Sequence, residues 1–75
     1  MSDAILSTVC HGTMDLLEAL MAQYRAQEDP HMATLCKIAG AHVQAALLYG
    51  DLDRMDDALE SMAKAQETIM EVLKG

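Results

Sequence analysis

The chain has 75 residues, room for one domain that buries roughly 60% of its unfolded surface, so oligomerisation is an expected supplement. Twelve Asp and Glu against five Lys and Arg give a formal charge of −7, which repels nucleic-acid phosphate and anionic lipid and attracts a basic protein. Hydrophobic residues make up 52% of the sequence, yet there are two Tyr, no Phe, no Trp and seven Met; with Ala and Leu supplying most of the rest, the composition favours helix over strand.

No segment reaches the ~20 uninterrupted apolar residues of a membrane span. The opening Met-Ser-Asp lacks the basic stretch and apolar run of a secretory signal. A cytoplasmic location is therefore expected, with Cys10 and Cys36 as reduced thiols.

The pattern predicts an all-α, up-down-up three-helix bundle, a single domain over 1–75 with helices at about 3–27, 30–49 and 52–73. The first helix places Leu6, Val9, Cys10, Thr13, Leu16, Leu17, Leu20, Met21 and Tyr24 on one side. At 100° per residue that arc is wider than one neighbour covers. Gly12 costs about 1 kcal/mol relative to Ala in a helix interior, which leaves open whether the residues before Thr13 continue the helix.

Asp29-Pro30 marks the next start, Asp being a good N-cap and Pro tolerated at the first helical position, where its missing N–H has no partner to lose. The second helix is apolar nearly all round, from Met32, Leu35, Cys36 and Ile38 to Val43, Leu47, Leu48 and Tyr49, with Lys37 and Gln44 marking a narrow wet edge. Such a helix is normally buried on most sides. In a three-helix monomer this leaves surplus apolar surface, so association as a homodimer is expected, with Ala33, Ala39, Gly40 and Ala46 allowing close helix approach. Gly50 is placed to end the helix in the left-handed conformation, and Asp51 or Asp53 to cap the third.

In that third helix Leu52, Met55, Leu59, Met62, Gln66, Ile69 and Leu73 alternate steps of three and four, a coiled-coil-type seam with Gln66 as its one polar member. Its outer face is acidic. The candidate interface, toward a second copy or a partner, is Leu35, Ile38, His42, Ala46, Tyr49, Leu52, Met55, Leu59, Met62 and Ile69. A stripe of Asp53, Asp57, Glu60, Glu67 and Glu71 would steer a basic partner. His42 sits within the apolar arc of Leu35, Ile38, Ala46 and Tyr49, where a buried neutral imidazole would make assembly sensitive to acid.

Other chemistry finds less support. Cys10, His11, His31, Cys36 and His42 are metal-ligand types, but a hairpin turning near residue 28 sets Cys36 about 16 Å of helix rise from Cys10, and neither helix pairs two ligands at i, i+3 or i, i+4. The same separation excludes an internal disulfide. A calcium loop counted from Asp51 would need Gly at position 56 and Glu at position 62, where Asp56 and Met62 stand. There is no Gly-rich phosphate loop, nucleophile elbow or convergent carboxylate pair, so the chain reads as non-enzymatic and without metal or cofactor. A DNA-recognition helix after Gly50 would carry acids that phosphate repels.

Two functions remain. The first is a small acidic regulator or inhibitor that covers a surface on a larger partner, as some phage-encoded inhibitors do by presenting charge like that of nucleic acid. The second is a secretion-type or assembly chaperone, or a structural subunit, that sequesters a partner helix while its acids only maintain solubility.

Overall fold

In the computed structural model, which describes the backbone of residues 2–75 and the side chains of residues 4–75, the chain forms α1 (Ser2–Ala26), α2 (Pro30–Asp51) and α3 (Met55–Lys74), with no strand among the described residues. Helix α1 runs unbroken through Gly12, which is exposed and whose Cβ, if added, would meet nothing within 4 Å. The propensity cost of Gly12 is therefore absorbed by the helix rather than relieved by a break.

The two connections share one design. At the end of α1, Glu28 takes a left-handed φ of 56°, its N–H donates to the Arg25 carbonyl (3.1 Å), and the Asp29 N–H donates back to Tyr24 (2.9 Å). At the end of α2, Asp53 takes φ 61°, donates to Gly50 (3.1 Å), and Arg54 donates to Tyr49 (2.8 Å). Both are Schellman closures, which satisfy carbonyls that the last helical turn leaves open. The residue that completes each closure also opens the next helix. Asp29 accepts the Met32 N–H at 3.2 Å with Pro30 in the first turn, whereas Arg54 makes no side-chain cap. Arg54 instead clips the second turn, stacking 5.3 Å over the Tyr49 ring and pairing with Asp57 at 2.6 Å.

The expected roles of Gly50, Asp51 and Asp53 are thereby corrected. Gly50 lies inside α2, buried against α1, where an added Cβ would stand 2.7 Å from Leu6 Cδ2. Its missing side chain admits a neighbour rather than a left-handed turn. Asp51 is the last residue of α2, and Asp53 holds the turn conformation instead of capping α3.

Turns of three residues make sequential helices antiparallel. Leu6 near the start of α1 meets Gly50 at the end of α2, and Cys10 meets Met62 of α3 at 3.6 Å between sulfurs, so α1 and α3 run parallel to each other. The bundle is 40 × 17 × 16 Å, as a helix of 25 residues at about 1.5 Å per residue requires. Both outer helices pack closely along α2, while the α1 and α3 backbones stay farther apart and meet through side chains such as Cys10 and Met62.

One core joins all three: Leu6, Cys10 and Leu17 from α1, Cys36, Ala39, Val43 and Ala46 from α2, and Ala58, Met62, Ala65 and Val72 from α3. The interior line of α3 is therefore Ala58, Met62, Ala65 and Val72, with Met55 and Ile69 half-buried beside it. The predicted seam of large residues is out of register with it. Met62 is inside, but Leu59, Gln66 and Leu73 are exposed, and Leu52 is exposed in the turn. Fully buried alanines on both α2 and α3 let the two helices approach closely, which a line of leucines at the contact would prevent.

A candidate protein-binding face

The middle position of α2 disposes of its expected surplus. Two flanking helices bury Cys36, Ala39, Val43, Ala46 and Gly50 and partly cover Met32, Leu35, His42, Leu47 and Tyr49. Its large exposed apolar side chains are Ile38 and Leu48, about 15 Å apart along the helix and about 80° apart around it, so they share no common stripe.

The uncovered apolar surface lies instead along the open side between α1 and α3. Ile5, Val9 and Leu16 fall on one stripe of α1, and Leu59, Met70 and Leu73 on one stripe of α3, each close to or above half exposed. Where the stripes face each other they enclose a groove of about 340 Å³, lined by Ile5, Leu6 and Val9 from α1 and Met55, Leu59 and Met62 from α3, with Gln66 at its far end. No ionisable side chain lines it. The Cys10–Met62 contact sets the register, and at one residue per 1.5 Å it puts Leu16 level with Thr68, between Gln66 and Met70. Beyond the groove, exposed apolar side chains recur at Leu16 on α1 and at Met70 and Leu73 on α3, over about 16 Å from Ile5 to Leu16 and about 21 Å from Leu59 to Leu73, with polar Gln66 between Leu59 and Met70.

Charge borders this strip on the α3 side. One further step round the helix come Asp56, Glu60 and Glu67, all exposed. The basic side chains of α3 are Lys64, 3.9 Å from Glu60, and Lys74 in the last turn. Of the anticipated steering acids, Glu60 and Glu67 flank the strip. Asp53 stands in the turn, Asp57 pairs with Arg54, and Glu71 is exposed farther round the helix.

The anticipated interface residues separate into three groups. Ala46 and Met62 are core; Leu35, His42, Tyr49, Met55 and Ile69 are half-buried; Ile38, Leu52 and Leu59 are exposed. The groove gathers Met55, Leu59 and Met62 but not the α2 members. Sequence reasoning left Ile5, Leu6, Val9, Leu16, Met70 and Leu73 out of the interface. The signal for Leu6, Val9 and Leu16 was the excess width of the α1 arc, of which Ile5 was not a member.

A second groove, of about 300 Å³, lies between α1 and α2, with Met14, Leu17, Met21 and Cys36 at its floor and Glu18, Lys37 and Gln44 among its lining. The thiols of Cys10 and Cys36 are both free and wholly buried, and burial pushes their pKa values above the ordinary one. A thiol held protonated in an apolar setting is a poor nucleophile. Among the described residues, no three His, Cys, Asp or Glu side chains gather as a metal site would need, and no helix is long and apolar enough to cross a membrane. Ser61 is the buried polar side chain, and no buried side-chain nitrogen or oxygen of the described residues lacks a hydrogen-bond partner.

Comparison with protein-family models, curated proteins and solved structures gives no match. The functional reading therefore rests on the groove and its acidic border.

Proposed function

We propose that this chain is a non-enzymatic protein-binding module, a small acidic regulator that covers a surface on a larger partner with the face between α1 and α3. The observation that carries this reading is the apolar strip of Ile5, Val9, Leu16, Leu59, Met70 and Leu73 bordered by Glu60 and Glu67. Exposed apolar side chains gathered about an apolar groove with a polar rim are a common mark of an interaction site. The groove supplies apolar anchoring, and the acids raise the encounter rate with a basic surface.

When no partner is present, the same face would pair two copies. Six half-exposed apolar side chains offer on the order of 600 Å² per copy, near the ~800 Å² per partner of a standard interface once rim groups are added. The −7 charge on each copy opposes this pairing, so the homodimer should tighten as salt screens the repulsion.

The test is capture of partners from cells that make the protein, using wild type and the Val9→Asp/Leu59→Asp pair side by side, with sedimentation of both over a dilution series. The reading predicts a protein retained by wild type and lost by the pair, and a dimer that the pair abolishes. It fails if the pair retains the same proteins as wild type. The chaperone reading keeps one observation in its favour, that a groove between parallel helices suits a helical guest. It predicts binding that salt leaves unchanged, whereas steering by Glu60 and Glu67 predicts association rates that fall as salt rises.

A further inference from the structure

We infer that the element this face takes from its partner is an amphipathic α-helix with cationic flanks, lying antiparallel to α1 and α3 where a fourth helix of the bundle would lie. The inference rests on the protein-binding reading above and specifies its ligand.

The shape of the site selects a helix. Helices α1 and α3 run parallel, both antiparallel to α2, and their backbones stand farther from each other than from α2, with the groove between them. A rod laid between them antiparallel to both would pack against two neighbours at the shallow angle that four-helix bundles use. The stripes present their side chains at helical spacing: Ile5, Val9 and Leu16 on one wall, Leu59, Gln66, Met70 and Leu73 on the other. Leu59 to Leu73 spans about 21 Å, the length of roughly four turns. A guest of about 14 residues with apolar anchors at i, i+3 or i+4, i+7 and i+11 matches that length, and this is how a helix is read by a groove.

Charge selects its flanks. The groove itself is uncharged, so the guest's buried face must be apolar. The α3 border carries Asp56, Glu60 and Glu67; its bases are Lys64, which already faces Glu60, and Lys74, which lies beside Gln66, Glu67 and Met70 at the C-terminal end. A guest with Lys or Arg beside its apolar stripe gains from all three carboxylates, while an acidic guest is repelled by them. The same charge argument ranks the guest above a second copy of this chain, whose own −7 would be brought against these acids.

The probe is a synthetic Ala-based peptide of about 14 residues carrying Leu at the anchor positions and Lys on both flanks, with a twin in which every Lys is Glu. Each is titrated by fluorescence anisotropy against wild type, Val9→Asp, Leu59→Asp, Glu60→Gln/Glu67→Gln and, as a control for an exposed leucine elsewhere, Leu48→Asp. Far-UV circular dichroism verifies that each variant is folded. The expected result is binding of the Lys peptide that weakens at least about tenfold in Val9→Asp and in Leu59→Asp. Binding should also weaken several-fold in the Gln pair and on raising salt from about 50 to about 300 mM, with Leu48→Asp unchanged and the Glu twin not binding. Salt should act oppositely on self-association, which it strengthens. The inference is overturned if the Lys peptide does not bind, if the Glu twin binds as well, or if Leu48→Asp weakens binding as much as Leu59→Asp. If the Lys peptide fails while capture remains sensitive to Val9→Asp/Leu59→Asp, the binding face stands and the cationic helix is the wrong guest. If both fail, the function proposed for this face fails with it.

Discussion

Replacing Gly12 and Gly50 by alanine tests the continuity of α1 and the closeness of its packing in a single comparison. Both glycines are inside helices, where alanine gains about 0.8 to 1 kcal/mol of helix propensity. At Gly12 nothing lies within 4 Å of the new methyl, so the gain stands alone. At Gly50 the methyl arrives 2.7 Å from Leu6 Cδ2. That atom is the end of a side chain bordering the α1–α3 groove, so it has room to move. Moving it off its rotamer costs about 0.5 to 1.5 kcal/mol, and residual overpacking about 1 to 3 kcal/mol more where relaxation is incomplete. Gly12→Ala should therefore raise stability by about 0.5 to 1 kcal/mol, while Gly50→Ala should fall between a gain of about 0.5 and a loss of about 3.5 kcal/mol. For a chain of this length the unfolding entropy is about 0.16 kcal/mol per kelvin, so Gly12→Ala should raise Tm by about 3 to 6 °C. Thermal unfolding followed at 222 nm, at one fixed protein concentration so that self-association does not shift the midpoint, is the assay. A Tm for Gly12→Ala at or below wild type would mean that α1 is not helical through residue 12. A Tm for Gly50→Ala above that of Gly12→Ala would mean that α1 does not press on α2 at this point.

Three further outcomes follow from the packing. Val43→Ala removes two methyls from the fully buried centre of α2 and should cost about 2 to 3 kcal/mol; a loss below about 0.5 kcal/mol in urea unfolding would contradict the core described. Glu28→Gly relieves a left-handed non-glycine residue and should stabilise by about 1 kcal/mol, with a smaller gain for Asp53→Gly because Asp tolerates that conformation better; equal or opposite effects would argue against the two closures. Burial raises the Cys10 and Cys36 pKa values above the ordinary value near 9. The folded state then keeps protons that the unfolded state gives up, so this part of the stability is intact below about pH 9 and is lost as pH climbs through and beyond it. Urea midpoints between about pH 8 and 10.5 should fall less steeply in Cys10→Ala/Cys36→Ala than in wild type, and parallel slopes would refute the assignment.

The fold was legible where backbone chemistry is local. Asp29-Pro30 announced the start of α2 because capping and a fixed φ act within one turn, and the helices follow from Ala, Leu and Met. Gly50 was misread because glycine has two distinct uses, left-handed turns and close approaches, and only the position of Leu6 decides between them. The register of α3 was misread for a related reason. Periodicity ranks residues by apolar size and selects Leu59 and Leu73, whereas the contact with α2 is made by Ala58 and Ala65, whose value lies in being small. The site followed from that register: once Leu59 is turned away from α2, it joins Ile5 and Val9 of α1, a pairing between segments about fifty residues apart that no window of sequence displays. The acids Glu60 and Glu67 were identifiable throughout, because charge on an amphipathic helix stays at the surface whichever apolar line faces inward.

Because the α1 and α3 backbones each pack closely on α2 and not on one another, the molecule amounts to two antiparallel hairpins that share an arm. Nearly all its contacts are then between chain neighbours, a topology that folds on the microsecond-to-millisecond scale. Either outer helix should also detach while the other hairpin stays formed, so amide exchange should be slowest along α2 and quicker in both flanking helices. A ligand bridging α1 and α3 would close that three-rung ladder into a ring, and slowed exchange in both outer helices at once would be the signature of its arrival.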